Sequence, residues 1–271
     1  MKQPFALWQL PSQSPSQMES YVIKSVNGKI IVIDGGMTCD GAYLKKFLEE
    51  LGGGVDMWIL THAHCDHIDA LAWILSNQGS LEIKEIYASF PPLDWVQKYE
   101  NHEAFSLENF EIVMKKIGRN YIKTNTGDSF IIDSINIEVL SDINLEITEN
   151  AINNSSIVLK VSDNTKSFLF LNDLGDIAGD KLLKNIDHEK LKADYVQMAH
   201  HGQNGVRKNF YEIIQPKYCL WPTPLWLWNN DVGNGKNSGP WQTLEVRDWM
   251  KELNVKENFV SGLSKEPLLF H

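Results

Sequence analysis

The run Val55-Asp56-Met57-Trp58-Ile59-Leu60-Thr61-His62-Ala63-His64-Cys65-Asp66-His67 decides the reading of fold and chemistry together. Val55 to Leu60 is a short, mostly apolar run of the kind that forms a buried strand. Leu71, Ile74 and Leu75 recur at helical spacing just downstream. His62, His64, Asp66 and His67 therefore occupy a loop between a strand and a helix. In the extended part, His62 and His64 point the same way, while Asp66 and His67 turn into the helix start and can reach a second ion. Neutral imidazoles with a carboxylate suit a borderline divalent cation, Zn²⁺ first, with Mn²⁺ or Fe²⁺ as alternatives, as one or two ions. A polar loop whose histidines only cap a helix is the competing account, and four such side chains at this spacing fit it poorly.

Upstream, Val22 to Val26 and Lys29 to Asp34 flank Asn27-Gly28, a strong hairpin signal. Tyr43, Phe47, Leu48 and Leu51 predict a helix stopped by Gly52-Gly53-Gly54. Downstream, a strand is expected over Ile83 to Ala88, a helical stretch over Asp94 to Gly118, and strands over Ser129 to Asp133 and Ile135 to Leu140 that close a first half. A second half pairs Ile157 to Val161 with Ser167 to Leu171, then adds a helix over Lys181 to Ile186, a strand over Tyr195 to Ala199, and helices from Phe210 and from Thr243. Strand pairs followed by alternating helix and strand, twice over, imply an α/β fold of four layers, an αββα sandwich. The segment 1–19, with its Pro-Ser-Gln-rich stretch Pro11 to Gln17, reads as a flexible leader, and 20–271 as a single domain.

The chain has 271 residues, of which 43% are hydrophobic and 22% charged, so it resembles an ordinary globular protein rather than a disordered one. Its net charge of −10 disfavours long nucleic acid as a partner. No stretch approaches the apolar length of a membrane span, and the start lacks a signal-peptide pattern, so no membrane partner and a cytoplasmic location are expected. Cys39, Cys65 and Cys219 show no paired spacing and argue against a disulfide framework.

Thr61 to His67 resembles the H-x-H-x-D-H signature of metallo-β-lactamase-fold hydrolases, and Ile31-Val32-Ile33-Asp34-Gly35-Gly36 looks like the strand-ending Asp-Gly-Gly that precedes it in that family. Three later stretches, Asn153 to Leu159, Phe168 to Asp173 and Ala199-His200-His201-Gly202, are similar in order and spacing to the hydrolase-like domain of the DNA-uptake protein ComEC. This resemblance covers about residues 20 to 220. It implies that His62 and His64 bind one metal, Asp66 and His67 the other, that Asp173 bridges both, and that a histidine of the pair completes the second site. His201 is favoured as that ligand, with His200 as the alternative. Asp34 is implied to orient ligands rather than coordinate.

Three departures qualify the resemblance. The extra histidine that most members give the first metal has no good counterpart: His102 sits in a Glu-rich helical stretch, and Asn153 stands where the ComEC-like pattern also has asparagine. Asn172 replaces a glycine before the aspartate. Gly239-Pro240-Trp241 replaces a His-Pro, so an auxiliary histidine toward substrate is missing.

The chemistry implied is hydrolysis by a metal-bound hydroxide, with Asp66 accepting a proton and His200 as donor or acid if it is not a ligand. A small-molecule substrate carrying phosphate, a phosphodiester or related small ester, is favoured. A lactone or thioester hydrolase, or a non-catalytic metal-binding or regulatory module, are the alternatives. Trp221, Trp226, Trp228 and Trp241 crowd a stretch expected to overhang the site, either as a loop pinned by aromatic burial or as a stacking wall for substrate.

The missing histidine predicts unequal metal sites. Titrating metal-free protein with Zn²⁺ should resolve a tighter and a weaker event; two equal, tight sites would contradict it.

Overall fold

The computed structural model describes residues 4–271; Met1, Lys2 and Gln3, the start of the expected leader, lie outside the described residues. Two seven-stranded sheets lie face to face with helices outside, an α/β sandwich of four layers.

The first sheet runs in the order β14 (Leu268–Phe270), β1 (Ala6–Gln9), β2 (Ser20–Lys24), β3 (Ile30–Asp34), β4 (Gly54–Leu60), β5 (Glu82–Ala88), β6 (Ile122–Lys123). The second runs β13 (Glu257–Val260), β12 (Tyr218–Trp221), β11 (Tyr195–Gln197), β10 (Ser167–Phe170), β9 (Val158–Ser162), β8 (Ile135–Ser141), β7 (Ser129–Ile132). Asn27-Gly28 turns β2 antiparallel into β3, which then pairs parallel with β4.

Period-two alternation sorts the strand residues between layers. Ile31 and Ile33 of β3 join Phe168 and Phe170 of β10 in the apolar layer between the sheets. Ile30 and Val32 face a second layer, built with α1 (Gly41–Leu51), α2 (Cys65–Ser76) and α4 (Ala104–Lys116). Leu169 and Leu171 face a third, under α5 (Asp176–Asn185), Lys208–Ile214 and Thr243–Glu252. Four layers thus enclose three apolar interfaces, with central strands such as β3 and β10 supplying two of them.

β3, β4, β10, β11 and β12 run in parallel within their sheets, so their carboxyl ends share one edge of the sandwich. The loops leaving those ends carry Asp34, His62, Asp173 and His201, the usual place for a ligand site in such sheets. Thr61 O accepts from Ile157 N at 3.0 Å and joins the two sheets at that edge.

Several expectations are corrected. Residues 6–19 are not a flexible leader: β1 is an interior strand between β14 and β2, with Phe5 and Leu7 in the inter-sheet layer and Leu10 on the helix side. The following loop is tied down as well, by Gln13 N to Asp40 Oδ1 at 2.7 Å and Trp226 Nε1 to Pro15 O at 2.6 Å. β7 and β8 belong to the second sheet rather than closing the first half. The helical stretch after Asp94 is two helices, α3 (Leu93–Tyr99) and α4, because Glu100 takes an extended φ of −147° and breaks the ladder. Among the described residues, no helix is long and apolar enough to cross a membrane.

Because Leu7 is fully buried, Leu7→Ala is expected to cost about 2–5 kcal/mol in urea unfolding. A change within about 0.5 kcal/mol, as for a surface substitution, would restore the flexible leader.

Candidate metal centre

Asp34 ends β3 with φ +54°, a left-handed conformation that turns its carboxylate under the neighbouring strand. Its Oδ1 accepts from Thr61 N at 2.8 Å; its Oδ2 accepts from Thr61 Oγ1 at 2.6 Å and from His67 Nδ1 at 2.8 Å. The last contact fixes the His67 tautomer and leaves Nε2 aimed into the cleft. Asp34 thus orients a candidate ligand without itself joining the cluster.

The buried carboxylate of Asp173 lies between two groups of histidines. His62 Nε2 is 3.6 Å and His200 Nε2 3.8 Å from its Oδ2. His67 Nε2 is 3.5 Å from Oδ1, and His201 Nε2 is 3.5 Å from Oδ2. Asp66 stands beside the second group, its Oδ2 3.0 Å from His201 Nε2. His64 turns its Nδ1 to within 3.2 Å of His62 Nε2. The ligand-capable atoms form two sets that share Asp173: His62, His64 and Asp173, and Glu19, His67, Asp173 and His201, each set within 4.8 Å of one another.

His200, His201 and Gly202 have φ of +51°, +55° and +78°, a single left-handed turn. Such backbone costs a non-glycine residue about 1–2 kcal/mol. It is held by Asn172 O, which accepts from His200 N at 2.8 Å, by Thr223 Oγ1, which donates to His201 O at 2.6 Å, and by Pro222 O, 2.8 Å from His201 Nδ1. Gly202 is required there, since a Cβ would lie 2.3 Å from the Trp221 ring. The turn sends the two imidazoles to different places. His201 is fully buried beside Asp66, while the His200 side chain is 21% exposed, with Nε2 3.3 Å from Asn153 Nδ2. Asn172 also has a positive φ, +51°, so the asparagine keeps the turn a glycine would make.

Asn153 is buried, its Oδ1 has no partner, and it lines the same cleft as His64 and Asp173. His102 is exposed on a short turn between α3 and α4, away from the cleft. Glu19 was missed by sequence reasoning. It is fully buried, its Oε2 accepts from Gln197 Nε2 at 3.0 Å, and its Oε1 has no partner. A lone acid inside an apparent leader gives no spacing signal; only the alternation of Phe5, Leu7 and Gln9 hinted that the segment is part of the sheet.

Burial lowers the His62 and His64 pKa values, so these imidazoles are neutral donors. At His67 and His201 burial acts in the same direction, but the carboxylates, Asp173 foremost, outweigh it and raise both well above the ordinary histidine range. Burial raises the carboxyls of Glu19 and Asp34. It also opposes ionisation of Asp66 and Asp173, yet His67 and His201 hold both well below the usual carboxylate range. The second set is therefore a place where buried carboxylates demand positive charge, which either protons or a metal ion can supply. The donor chemistry and the unpartnered His67 Nε2, His201 Nε2, His64 Nε2 and Asp173 Oδ1 fit one or two divalent ions.

The cleft above this cluster measures about 340 Å³ and is lined by His64, Asp66, Asp173 and His200, by Asn150 and Asn153, and by Glu100 and Glu103. Ser16 and Gln17 of the supposed leader form part of its wall. The tryptophans do not line it. Trp221 and Trp228 pack edge to face, with Arg247 over Trp228, and Trp226 faces a separate cavity of about 470 Å³ with Pro11, Pro15 and Ser16. Trp221 is fully buried, while Trp226, Trp228 and Trp241 are partly exposed.

The model of the metallo-β-lactamase superfamily matches residues 15–175. No curated protein matches the chain. Among solved structures, the metallo-β-lactamase fold protein YhfI from Bacillus subtilis is similar at TM-score 0.59 and 13% identity, over 99% of this chain and 100% of that one. CmlA, a diiron β-hydroxylase from Streptomyces venezuelae, is similar at TM-score 0.59 and 10% identity, over 100% of this chain and 54% of that one. Yeast PDE1 gives TM-score 0.55 and 12% identity, over 94% and 96%. At these identities the likeness is one of fold.

Because the neighbouring carboxylates favour protons on His67 and His201 where an ion would compete for the same nitrogens, metal loading should release protons and tighten as pH rises. The gain should end only once those imidazoles deprotonate unaided. Calorimetry in buffers of different ionisation heat reads this directly; proton-neutral binding with constant affinity over about pH 6 to 8 would refute it.

Proposed function

We propose that this chain, which belongs to the metallo-β-lactamase superfamily, is a metal-dependent hydrolase of a small phosphodiester or related small ester. The observation that carries the reading is the convergence of buried, unpartnered donor atoms from His64, His67, Asp173 and His201 on one cleft. Groups this costly to bury are rational only if something binds them. The fold alone does not choose a reaction, since CmlA is a diiron β-hydroxylase.

His62, His64 and Asp173 would hold one ion, with Asn153 Oδ1 able to fill the place of the missing histidine; Asp66, His67, Asp173 and His201 would hold the other. Zn²⁺, Mn²⁺ and Fe²⁺ all suit these donors. Bound ions would supply electrostatic stabilisation of the developing negative charge and make water more acidic. The remaining work falls to the chain. Asp66 faces the cleft and takes the proton of the attacking water as the new bond to the scissile centre forms. His200 reaches both cleft and solvent and gives a proton to the departing oxygen. Asn204 O, at 3.3 Å from Nδ1, sets the orientation of that ring, and Nε2, 3.8 Å from Asp173 Oδ2, is the atom that gives the proton.

Among the described residues, no lysine or arginine lines the cleft, whereas Glu100 and Glu103 do. The negative charge of a substrate is then met by the ions alone. This favours a singly charged diester over polyanions, and it supports the preference for small molecules over long nucleic acid. The same lack of basic groups is what would suit an uncharged lactone or ester, the second reading.

A panel of chromogenic phosphodiesters, esters and lactones, assayed with Zn²⁺ and with Mn²⁺, tests the proposal. Diester hydrolysis is expected, falling by about 10²–10⁴-fold in Asp66→Ala. In His200→Ala, kcat should drop with metal content unchanged. Lactones turning over faster than diesters would select the second reading; total inactivity with two ions bound would point to a binding module.

A further inference from the structure

Glu19 enters the centre from the end of the loop that joins β1 to β2, in the stretch that looked like a leader. Its backbone N donates to Asp66 O at 3.1 Å, which locks the two acids side by side. Gln197 occupies one carboxylate oxygen; this Gln197 is itself held, with Asn172 N donating to its Oε1 and its Nε2 reaching Met198 O at 2.7 Å. The other oxygen, Oε1, is buried and has no partner, and Glu19 belongs with His67, Asp173 and His201 to the set whose ligand-capable atoms lie within 4.8 Å of one another. A fully buried carboxylate with one oxygen satisfied and one unpartnered, grouped with two imidazoles and another carboxylate, is expensive unless a cation completes it.

Building on the two-ion reading above, we infer that Glu19 is a ligand of the second ion, giving that site three carboxylates, Glu19, Asp66 and Asp173, beside His67 and His201. Charge supports the assignment. Four carboxylates, those of Glu19, Asp34, Asp66 and Asp173, are buried at the centre, and two divalent ions with neutral histidines balance them. Donor type supports it too. Five donors, three of them hard oxygens, exceed the four a tetrahedral zinc site uses and suit an ion that accepts six, such as Mn²⁺ or Fe²⁺. The first set, with two imidazoles and one shared carboxylate, has no such excess. The two sites therefore differ in the kind of ion they prefer as well as in strength.

Crystals of the wild-type protein soaked with Mn²⁺ alone, examined by anomalous scattering, provide the test. The expected result is a manganese ion within about 2.2 Å of Glu19 Oε1. An ion held by His67, Asp173 and His201 with Glu19 beyond about 3.5 Å would overturn this assignment while leaving the two-ion reading intact. No ion at the cluster would overturn both. In solution, E19Q should lower Mn²⁺ affinity at one of two sites by at least about tenfold and Zn²⁺ affinity by less, the other site being unchanged. Equal loss of both metals at both sites, or no loss, would count against it. Thermal melts of metal-free E19Q establish that the variant is folded, and the crystallographic arm stands without it.

Discussion

The centre depends on the carboxylate of Asp34. Its three accepted hydrogen bonds join the end of β3 to the end of β4 and to the first turn of α2. Without it His67 would have no fixed tautomer, and Thr61 would lose the contacts that set the direction in which the next residues leave the strand. Everything downstream in the loop, His62 and His64 on one side and Asp66 and His67 on the other, takes its position from that anchor. The cost is a left-handed non-glycine residue and a buried charge, both tolerated because every lone pair that matters is used.

A second strained element answers it from the other sheet. The turn at His200 to Gly202 delivers one histidine to the floor of the cleft and one to its wall, which no ordinary helix start could do with adjacent residues. Asp173 then lies between the two anchors and touches histidines from both sheets. The centre is consequently a property of the sandwich as a whole, formed only where two parallel-strand edges meet.

Much of this was legible in the sequence wherever the signal was local. The Asn27-Gly28 turn, the apolar run into Thr61 and the dense ligand spacing of His62 to His67 each follow from neighbouring residues, and they give the α/β sandwich and one flank of the centre. Signals that require distant pairing were not legible. Strands β1, β13 and β14 are only three or four residues long, too short for periodicity to speak, and they exist because partners hold them. Pro11 to Gln17 has the composition of a mobile segment, yet hydrogen bonds to Asp40 and Trp226 order it. Glu19 is invisible for the same reason: its role comes from where β2 starts in space, beside Asp66, and nothing near it in the chain announces that. Asn172 is the opposite case, a residue whose left-handed conformation, at φ +51°, suits an asparagine and is local to the turn it makes.

The pairing of β1 with β14 has a consequence for how the protein folds. Leu7 faces Phe270 across the sheet, and Gln9 reaches over to donate to Trp221 O at 2.9 Å. The two strands that flank β1 thus come from positions far apart in the sequence. Contacts of such separation form late in folding, so the strand–loop–helix run that carries His62 to His67 can take shape before this side of the sheet is closed.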